Sequence, residues 1–222
     1  MNLANRLKIK LEKKFGKTKY GETWKEIDSE WYKKIHESNY LLHEDFKKFL
    51  KSKKDIKTLL EVGCGAGIYP INNKELFSKL EYTGTDFSNS VIEYCKKKSD
   101  FKFFQGDFIK LELTEKYDFV FSHAVVDHVY NIEQFITNLI KSTRKYAYIN
   151  SYRGYFPNLE NHKMQWDGHE GCYFNKLSIK KIEELLKKIN LKDNQFVIRS
   201  QRSGQKEKNL DIQTVIEIDL TK

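Results

Sequence analysis

Three glycines at every second position, Gly63, Gly65 and Gly67, constrain the fold of this chain more than any other feature of its sequence. They follow the apolar run of residues 56–62, which predicts a β-strand. Glycine has no Cβ atom, so the backbone can turn sharply there and lie against a ligand. A strand that ends in such a turn and leads into a helix forms the ligand corner of an open α/β sheet, whereas an isolated triplet would also suit a tight surface turn.

The spacing of the glycines distinguishes between two kinds of ligand. A dinucleotide-binding corner has the pattern G-x-G-x-x-G, but Ile68 stands where its third glycine would be. In addition, Glu61 lies two residues before the first glycine, and a carboxylate there would repel a diphosphate. The same carboxylate would attract an ammonium group, so these residues favour a ligand that carries a cationic amino acid moiety.

In this form the segment resembles the first motif of the class I S-adenosylmethionine-dependent methyltransferases, acid-x-Gly-x-Gly-x-Gly. Glu61, Gly63, Gly65 and Gly67 match that motif position by position. The resemblance implies a methyltransferase that uses S-adenosylmethionine as its cofactor, with these four residues in the cofactor site. It also implies an α/β fold, namely a Rossmann-like, seven-stranded, mostly parallel sheet with helices on both faces and an antiparallel last strand.

The chain divides into two expected parts. Residues 55–222 would form the methyltransferase domain, and residues 1–54 an N-terminal helical segment or lid packed on this core. Apolar and aromatic residues at helical spacing predict one helix over residues 28–50. Tyr20 and Trp24 come before that helix, where the resembled family often folds a lid over the cofactor, so both are candidate cofactor contacts.

Acidic residues follow the second and third predicted strands. Asp86 lies about twenty residues beyond the glycines, where a nucleotide-binding fold places an acid that accepts hydrogen bonds from ribose hydroxyls. Asp86 and the adjacent Phe87 are therefore candidate cofactor contacts, although a helix cap shared with Ser88 would also explain the acid. For Asp107 and Phe108, the resemblance implies that the acid binds the adenine amine and that the next residue's backbone and ring lie beside the base. A plain Gly-Asp turn is the alternative there.

The end of the fourth predicted strand carries the candidate catalytic residues. Ser122 closes this strand and is a candidate cofactor contact. His123 comes next and is a candidate general base, because an unperturbed imidazole has a pKa of about 6.5 and can accept a proton at neutral pH. The segment Val-Asp-His-Val that contains Asp127 and His128 resembles a Leu-Glu-His-Val segment of the family. Both are candidate catalytic residues, and a purely structural hydrogen-bonding role for His128 is equally open.

No metal site is predicted from the sequence. Some relatives within the resembled family bind a divalent metal through two acids and a histidine near the fourth strand, but Ala124 stands at the position of the first acid. The motif His169-Glu170 with Asp167 nearby matches no established ligand spacing.

A long irregular stretch is predicted from Ser151 to Phe174, and loops of this length in a compact domain are usually functional. Aromatic faces with a few polar groups suit a sugar or another small polar acceptor. The alternative is that Trp166 and Tyr173 only attach the loop to the core. The candidate substrate-binding residues are Tyr152, Arg153, Tyr155, Trp166 and His169.

The net charge of +9 bears on the choice of partner. The excess is mostly lysine spread along the chain, whereas nucleic-acid readers concentrate arginine and aromatic residues on one face, so the pattern disfavours nucleic acid. The charge still favours an anionic small-molecule acceptor through long-range attraction. The predicted activity is methyl transfer to a hydroxyl or amine of a small polar acceptor, with a sugar or sugar-containing metabolite as the preferred class.

Two other functions stay open at this point. An RNA or protein methyltransferase would account for the basic charge, and a non-catalytic methyltransferase-like partner protein would keep the fold for binding only. The chain has no apolar run near the roughly 18 residues that a membrane span needs, and no signal peptide is recognisable. Its three cysteines are scattered, which favours a reducing compartment. We therefore expect a cytoplasmic monomer or homodimer.

Overall fold

The structure is a computed structural model that describes residues 44–167, 172–202 and 212–222. Strands and helices alternate along most of this part of the chain. The strands are β1 (Thr58–Val62), β2 (Glu81–Asp86), β3 (Lys102–Gln105), β4 (Tyr117–His123), β5 (Thr143–Ser151), β6 (Lys163–Asp167), β7 (Cys172–Lys176), β8 (Phe196–Arg202) and β9 (Ile212–Asp219). The α-helices are α1 (Glu44–Ser52), α2 (Ile68–Asn72), α3 (Lys74–Phe77), α4 (Asn89–Lys98), α5 (Ile132–Lys141) and α6 (Ile179–Lys188), and a 3₁₀ turn covers Asp193–Gln195.

Seven strands form one sheet in the order β3-β2-β1-β4-β5-β9-β8. Strands β1 to β5 are parallel to one another. Strand β9 is antiparallel to β5, and β8 is antiparallel to β9. The predicted seven-stranded, mostly parallel sheet with an antiparallel last strand is therefore confirmed. The strand order reverses between β1 and β4, and such a switch point opens a crevice at the carboxyl ends of the strands.

Both faces of the sheet are covered, which explains why its central strands are almost continuously apolar. Leu60 and Val62 of β1 belong to a core cluster that includes α5 and α6. Leu59, on the opposite face, belongs to a second cluster that includes α1 and α4. In α1, Phe46 is buried against the rings of Phe121 and Tyr148. The described end of the N-terminal segment thus packs on the sheet.

Helix boundaries follow local capping signals. Helix α6 begins after Ser178, whose hydroxyl accepts a hydrogen bond from the backbone N–H of Lys181 at 3.2 Å, as its position in the sequence predicts. Of the helix predicted over residues 28–50, the described residues begin at Glu44, and α1 continues to Ser52.

The prediction of an irregular stretch from Ser151 to Phe174 is wrong in its second half. Strands β6 and β7 form an antiparallel hairpin there, with Trp166 opposite Tyr173 in the register. The hairpin is a separate two-stranded sheet, and most side chains of β6 are exposed or half-buried. Its sequence therefore lacks the apolar alternation that marks a strand on a larger core.

Within the described residues, no helix is long and apolar enough to cross a membrane.

Candidate functional site

The glycine corner lies at the carboxyl end of β1, at the switch point of the sheet. The backbone N–H groups of Gly63 and Cys64 both donate to the carbonyl oxygen of Thr85, at 2.7 and 3.0 Å, so the corner is folded back against β2. Gly63 has a φ of +74° and Gly65 a φ of +51°, the left-handed region that side chains disfavour. A Cβ atom at Gly63 would lie 2.3 Å from Cγ2 of Val125, whereas one at Gly65 would meet no atom within 4 Å. Gly65 therefore borders open space in which a ligand can lie against the backbone.

Gly65→Ala is expected to weaken cofactor binding about tenfold, because its methyl group enters that open space. The left-handed backbone would also cost about 1–2 kcal/mol of stability. Titration calorimetry with S-adenosylhomocysteine measures the first effect and thermal unfolding the second. Wild-type affinity in a folded Gly65→Ala protein would show that the cofactor does not approach this backbone.

Two carboxylates lie beneath and beside the corner. Glu61 is buried and accepts a hydrogen bond from the hydroxyl of Tyr82. Burial raises the pKa of Glu61 well above its usual range, and the Tyr82 hydrogen bond only partly opposes this. Asp86 accepts a hydrogen bond from the N–H of Gly65 at 3.1 Å on one oxygen and from the N–H of Ser88 at 3.0 Å on the other. Asp86 thus lies against the glycine corner and braces it.

The candidate adenine site at the end of β3 is assembled differently from the sequence prediction. Asp107 accepts hydrogen bonds from the N–H of Ile109 at 3.1 Å and from the hydroxyl of Tyr130 at 2.9 Å. Phe108 is only 4% exposed, its ring packs edge-on against Phe135, and its carbonyl oxygen accepts a hydrogen bond from Nδ2 of Asn138 at 2.8 Å. Sequence reasoning missed Tyr130, because its approach to Asp107 depends on the packing of the loop after β4.

Two further candidate cofactor contacts face the protein itself. Ser122 is fully buried, and its hydroxyl donates to the carbonyl oxygen of Val62 at 2.9 Å, which ties β4 to β1. Phe87 is half-buried, and its carbonyl oxygen accepts a hydrogen bond from Nε2 of Gln105 at 3.0 Å. Ser122 is thus placed to hold the strand ends together, and a cofactor cannot reach its hydroxyl.

Asp127 is the hydrogen-bonding centre of the loop that follows β5. Its carboxylate has no exposed surface and accepts hydrogen bonds from the hydroxyl of Ser151 at 2.6 Å and from the N–H groups of Arg153 at 3.2 Å and Tyr152 at 3.4 Å. Burial raises the pKa of Asp127 to about 6, against the opposing effect of these hydrogen bonds. The carboxylate is placed to position the loop, and the catalytic role of Asp127 stays a prediction.

His128 is held by hydrogen bonds at both ring nitrogens. Nδ1 lies 2.7 Å from the carbonyl oxygen of Tyr173, which can only accept, so Nδ1 carries the proton. Nε2, 3.0 Å from the hydroxyl of Tyr152, therefore accepts a hydrogen bond from it. Burial lowers the pKa of His128 to about 4, and the charge of Arg153 acts in the same direction. His128 is thus a neutral imidazole that orients Tyr152, in keeping with the structural alternative.

The predicted substrate-binding residues divide into two groups. Tyr152 and Arg153 lie together, with the guanidinium carbon of Arg153 5.5 Å from the centroid of the Tyr152 ring. Trp166 packs against Tyr173, its partner across the hairpin, with ring centroids 5.0 Å apart. Tyr155 is half-buried in the loop before the hairpin. The predicted substrate-binding residue His169 lies outside the described residues, and so do the candidate cofactor contacts Tyr20 and Trp24.

His123 lies next to two buried polar residues, Asn150 and Gln213, that were not predicted from the sequence. Its ring lies at the end of β4, 5.4 Å from the ring of Tyr69 and nearly perpendicular to it. Asn150 pairs with it in the register of β5 and donates from Nδ2 to Oε1 of Gln213 at 2.9 Å. Asn150 and Gln213 are both buried. The available signal was that Asn150 directly follows the apolar run of residues 146–149 in β5.

The described residues contain no group of three or more His, Cys, Asp or Glu side chains arranged to hold a metal ion.

Comparison with known proteins gives a consistent result. A family model described as a methyltransferase domain matches residues 53–190, more than half of the chain. A malonyl-[acyl-carrier protein] O-methyltransferase of Calditerrivibrio nitroreducens is 30% identical over 91 residues, which cover 41% of this chain and 36% of the relative. A ubiquinone biosynthesis O-methyltransferase of Rickettsia prowazekii is 31% identical over 134 residues, 54% of this chain and 52% of the relative. The matches thus span about a third to a half of these relatives.

Solved structures share the fold. The plantazolicin methyltransferase BpumL, in complex with a triazolic desmethylPZN analog and SAH, has a TM-score of 0.61 at 13% identity, with 99% of each chain covered. A SAM dependent methyltransferase from Aquifex aeolicus has a TM-score of 0.56 at 18% identity, with 87% of this chain and 98% of that chain covered. At these identities the likeness establishes the fold alone.

Proposed function

The chain belongs to the methyltransferase domain family, and from that premise we propose that it transfers a methyl group from S-adenosylmethionine to a hydroxyl or amine of a small polar acceptor. A sugar or sugar-containing metabolite is the proposed acceptor class. Polar and aromatic groups near the carboxyl edge of the sheet support this class, because such groups bind sugar hydroxyls and ring faces. The two curated relatives are by name O-methyltransferases, which favours oxygen over nitrogen as the accepting atom.

The corner residues fit this cofactor. Gly65 borders open space, as a backbone that must approach a ligand requires. Asp86 and Asp107 are the groups we assign to the ribose hydroxyls and the adenine amine, because a carboxylate offers acceptor sites on both of its oxygens. When bound, S-adenosylmethionine supplies the methyl group on a positively charged sulfonium.

The observation that carries the proposal is the common location of both sets of groups. Gly65, Asp86 and Asp107 follow the carboxyl ends of β1, β2 and β3, and His123 and Tyr152 stand at the carboxyl ends of β4 and β5. These five parallel strands end at one edge of the sheet, so cofactor and acceptor would meet there. Aligning the two reactants is the main task of the protein, and good alignment lowers the activation free energy by roughly 7–11 kcal/mol.

His123 is the proposed proton acceptor for a hydroxyl substrate, because both ring nitrogens of His128 already make hydrogen bonds within the fold. His123→Ala is expected to lower turnover about 100-fold, at the lower end of what general-base catalysis supplies. Cofactor affinity, measured by calorimetry, is expected to stay near wild type. His128→Gln is the comparison: if it lowers turnover 100-fold and His123→Ala does not, the proton acceptor is the Tyr152–His128 pair.

Transfer of a labelled methyl group tests the proposal as a whole. The protein is offered S-adenosylmethionine with separate pools of small metabolites and sugars, RNA, and protein. Label in the small-molecule pool that is lost on Asp86→Ala is the expected result. Label in RNA or protein would overturn the small-molecule proposal in favour of an RNA or protein methyltransferase, which the net charge of +9 favours. Cofactor binding without label in any pool would favour a non-catalytic partner protein.

We also propose a cytoplasmic location and a monomeric or homodimeric state. The location is supported by Cys64, Cys95 and Cys172, which are all buried thiols without a disulfide bond.

A further inference from the structure

The side chain of Arg153 is held as a stacked cation at the edge of the candidate acceptor site. Its guanidinium carbon lies 3.9 Å from the centroid of the Phe174 ring on β7, within the range of a cation–π contact. A guanidinium that stacks on a ring keeps its in-plane N–H donors available for hydrogen bonding. Arg153 as a whole is half-buried, so its charge is partly shielded from water.

This cation differs from the other half-buried or interacting arginines of the described chain. Arg144 pairs with Asp118 at 2.8 Å, and Arg199 pairs with Glu217 at 2.7 Å. Within residues 44–167, 172–202 and 212–222, no carboxylate forms an ion pair with the guanidinium of Arg153. A partly buried charge normally has a counter-charge nearby. Among the described arginines, Arg153 is therefore suited to bind a negatively charged group of a ligand.

The backbone beneath this side chain is fixed from two directions. The N–H of Arg153 donates to Asp127 at 3.2 Å, and the hydroxyl of Thr214 on β9 donates to the carbonyl oxygen of Gly154. With the ring of Phe174 also in contact, little freedom remains to be lost when a ligand binds. The cation is therefore preorganised, with its guanidinium carbon 5.5 Å from the centroid of the Tyr152 ring.

We infer that the methyl acceptor carries an oxyanion, a carboxylate or a phosphate, which binds the guanidinium of Arg153 on its Phe174 platform. The inference rests on the proposed function, because it names the substrate class of the same site. The planar fork of an arginine matches two oxygens of either group, and a lysine would not. The net charge of +9 attracts such an acceptor at long range. A sugar acid or a sugar phosphate meets this requirement, and a neutral sugar does not.

Binding of two simple probes tests the inference without turnover. The full-length protein, with S-adenosylhomocysteine present, is titrated with inorganic phosphate and separately with succinate in a calorimeter. At least one probe is expected to bind wild type and to bind Arg153→Gln at least tenfold more weakly, with Arg153→Lys between them. Lys97→Gln removes the same charge from the exposed end of α4 and is expected to match wild type.

Equal binding of both probes to wild type and Arg153→Gln overturns the inference, and so does the absence of binding to wild type. Thermal unfolding of Arg153→Gln within a few degrees of wild type excludes misfolding as the cause of a loss. If Arg153→Gln proves unstable, Phe174→Leu is used instead. It removes the ring on which the guanidinium packs and is expected to weaken binding of the same probe.

Kinetics separate this inference from the proposed function. With the acceptor found by labelling, Arg153→Gln is expected to raise KM at least tenfold and to change kcat little, because the oxyanion is bound equally in the ground and transition states. Transfer to a neutral acceptor with wild-type KM in Arg153→Gln overturns the inference and leaves the proposed function intact. If no pool accepts label, the proposed function fails, and the probe titration still decides whether Arg153 binds an oxyanion.

Discussion

Asp86→Ala is expected to weaken binding of S-adenosylmethionine by about 10²–10⁴-fold. A hydrogen bond to a charged group is worth about 1.5–3 kcal/mol, and the side chain is assigned to two ribose hydroxyls. The substitution also releases the N–H groups of Gly65 and Ser88, which the carboxylate holds at 3.1 and 3.0 Å. The glycine corner would then lose its brace as well as its ligand contacts. Titration calorimetry with S-adenosylmethionine and S-adenosylhomocysteine measures the effect.

Two further variants make the Asp86 result specific. Asp86→Asn keeps the shape and one acceptor oxygen, so its affinity is expected to fall between those of wild type and Asp86→Ala. Asp100→Ala changes an exposed aspartate in the turn before β3 and is expected to bind as wild type. A folded Asp86→Ala protein that binds within about threefold of wild type would remove the ribose assignment.

Asp127→Ala is expected to lower the free energy of unfolding by about 3 kcal/mol, because it leaves buried donors without an acceptor. The donors are the hydroxyl of Ser151 and the N–H groups of Tyr152 and Arg153. For a domain of this size the loss corresponds to a fall of about 6–12 °C in Tm. Thermal and urea unfolding at pH 7 measure it.

Ser151→Ala is the partial variant for this prediction, since it removes one donor and leaves the carboxylate in place. It is expected to cost about 1 kcal/mol. Wild-type stability in Asp127→Ala, together with lost turnover and intact cofactor binding, would restore the catalytic role that the sequence suggested and refute the positioning role.

The pH dependence of stability distinguishes Asp127 from its neighbour His128. Burial raises the pKa of Asp127 from 3.8 to about 6. Between these two pH values the carboxyl group is protonated in the folded protein and ionised in the unfolded chain. The stabilisation from this group is present at low pH and is lost as the pH rises through 6. Burial lowers the pKa of His128 to about 4, so its contribution is present above about pH 6.5 and is lost as the pH falls through 4. Between pH 4 and 6, the contributions of Asp127 and His128 to the free energy of unfolding therefore change in opposite directions.

Variants should therefore diverge in that window. Relative to wild type, Asp127→Asn is expected to lose stability as the pH falls from 6.5 to 4, and His128→Gln to gain it. Each change is about 2–3 kcal/mol, since one pKa unit corresponds to about 1.4 kcal/mol. Urea unfolding at half-unit pH intervals measures both, and parallel curves for the two variants would contradict the assigned pKa shifts.

The sequence alone was sufficient for the fold and for the family. The strands carry apolar runs and the helices carry one apolar face, and these local patterns depend on periodicity along the chain. The match of the family model to residues 53–190 confirms the family that Glu61 and the three glycines indicated. Motifs of this kind are readable because each residue acts through its own backbone conformation or charge, close to its neighbours in sequence.

The roles of the polar residues near the acceptor were decided only by the tertiary structure. Asp127 and His128 stand side by side in a motif that resembles a catalytic segment, yet the packing of β5 and β7 against them turns one into a support for a loop and the other into a partner of Tyr152. The chain pattern likewise did not reveal the hairpin of β6 and β7 or the stacking of Arg153 on Phe174. Apart from the hairpin, these features depend on contacts between residues twenty or more positions apart, where register and burial determine which atoms meet, and sequence periodicity carries no record of them.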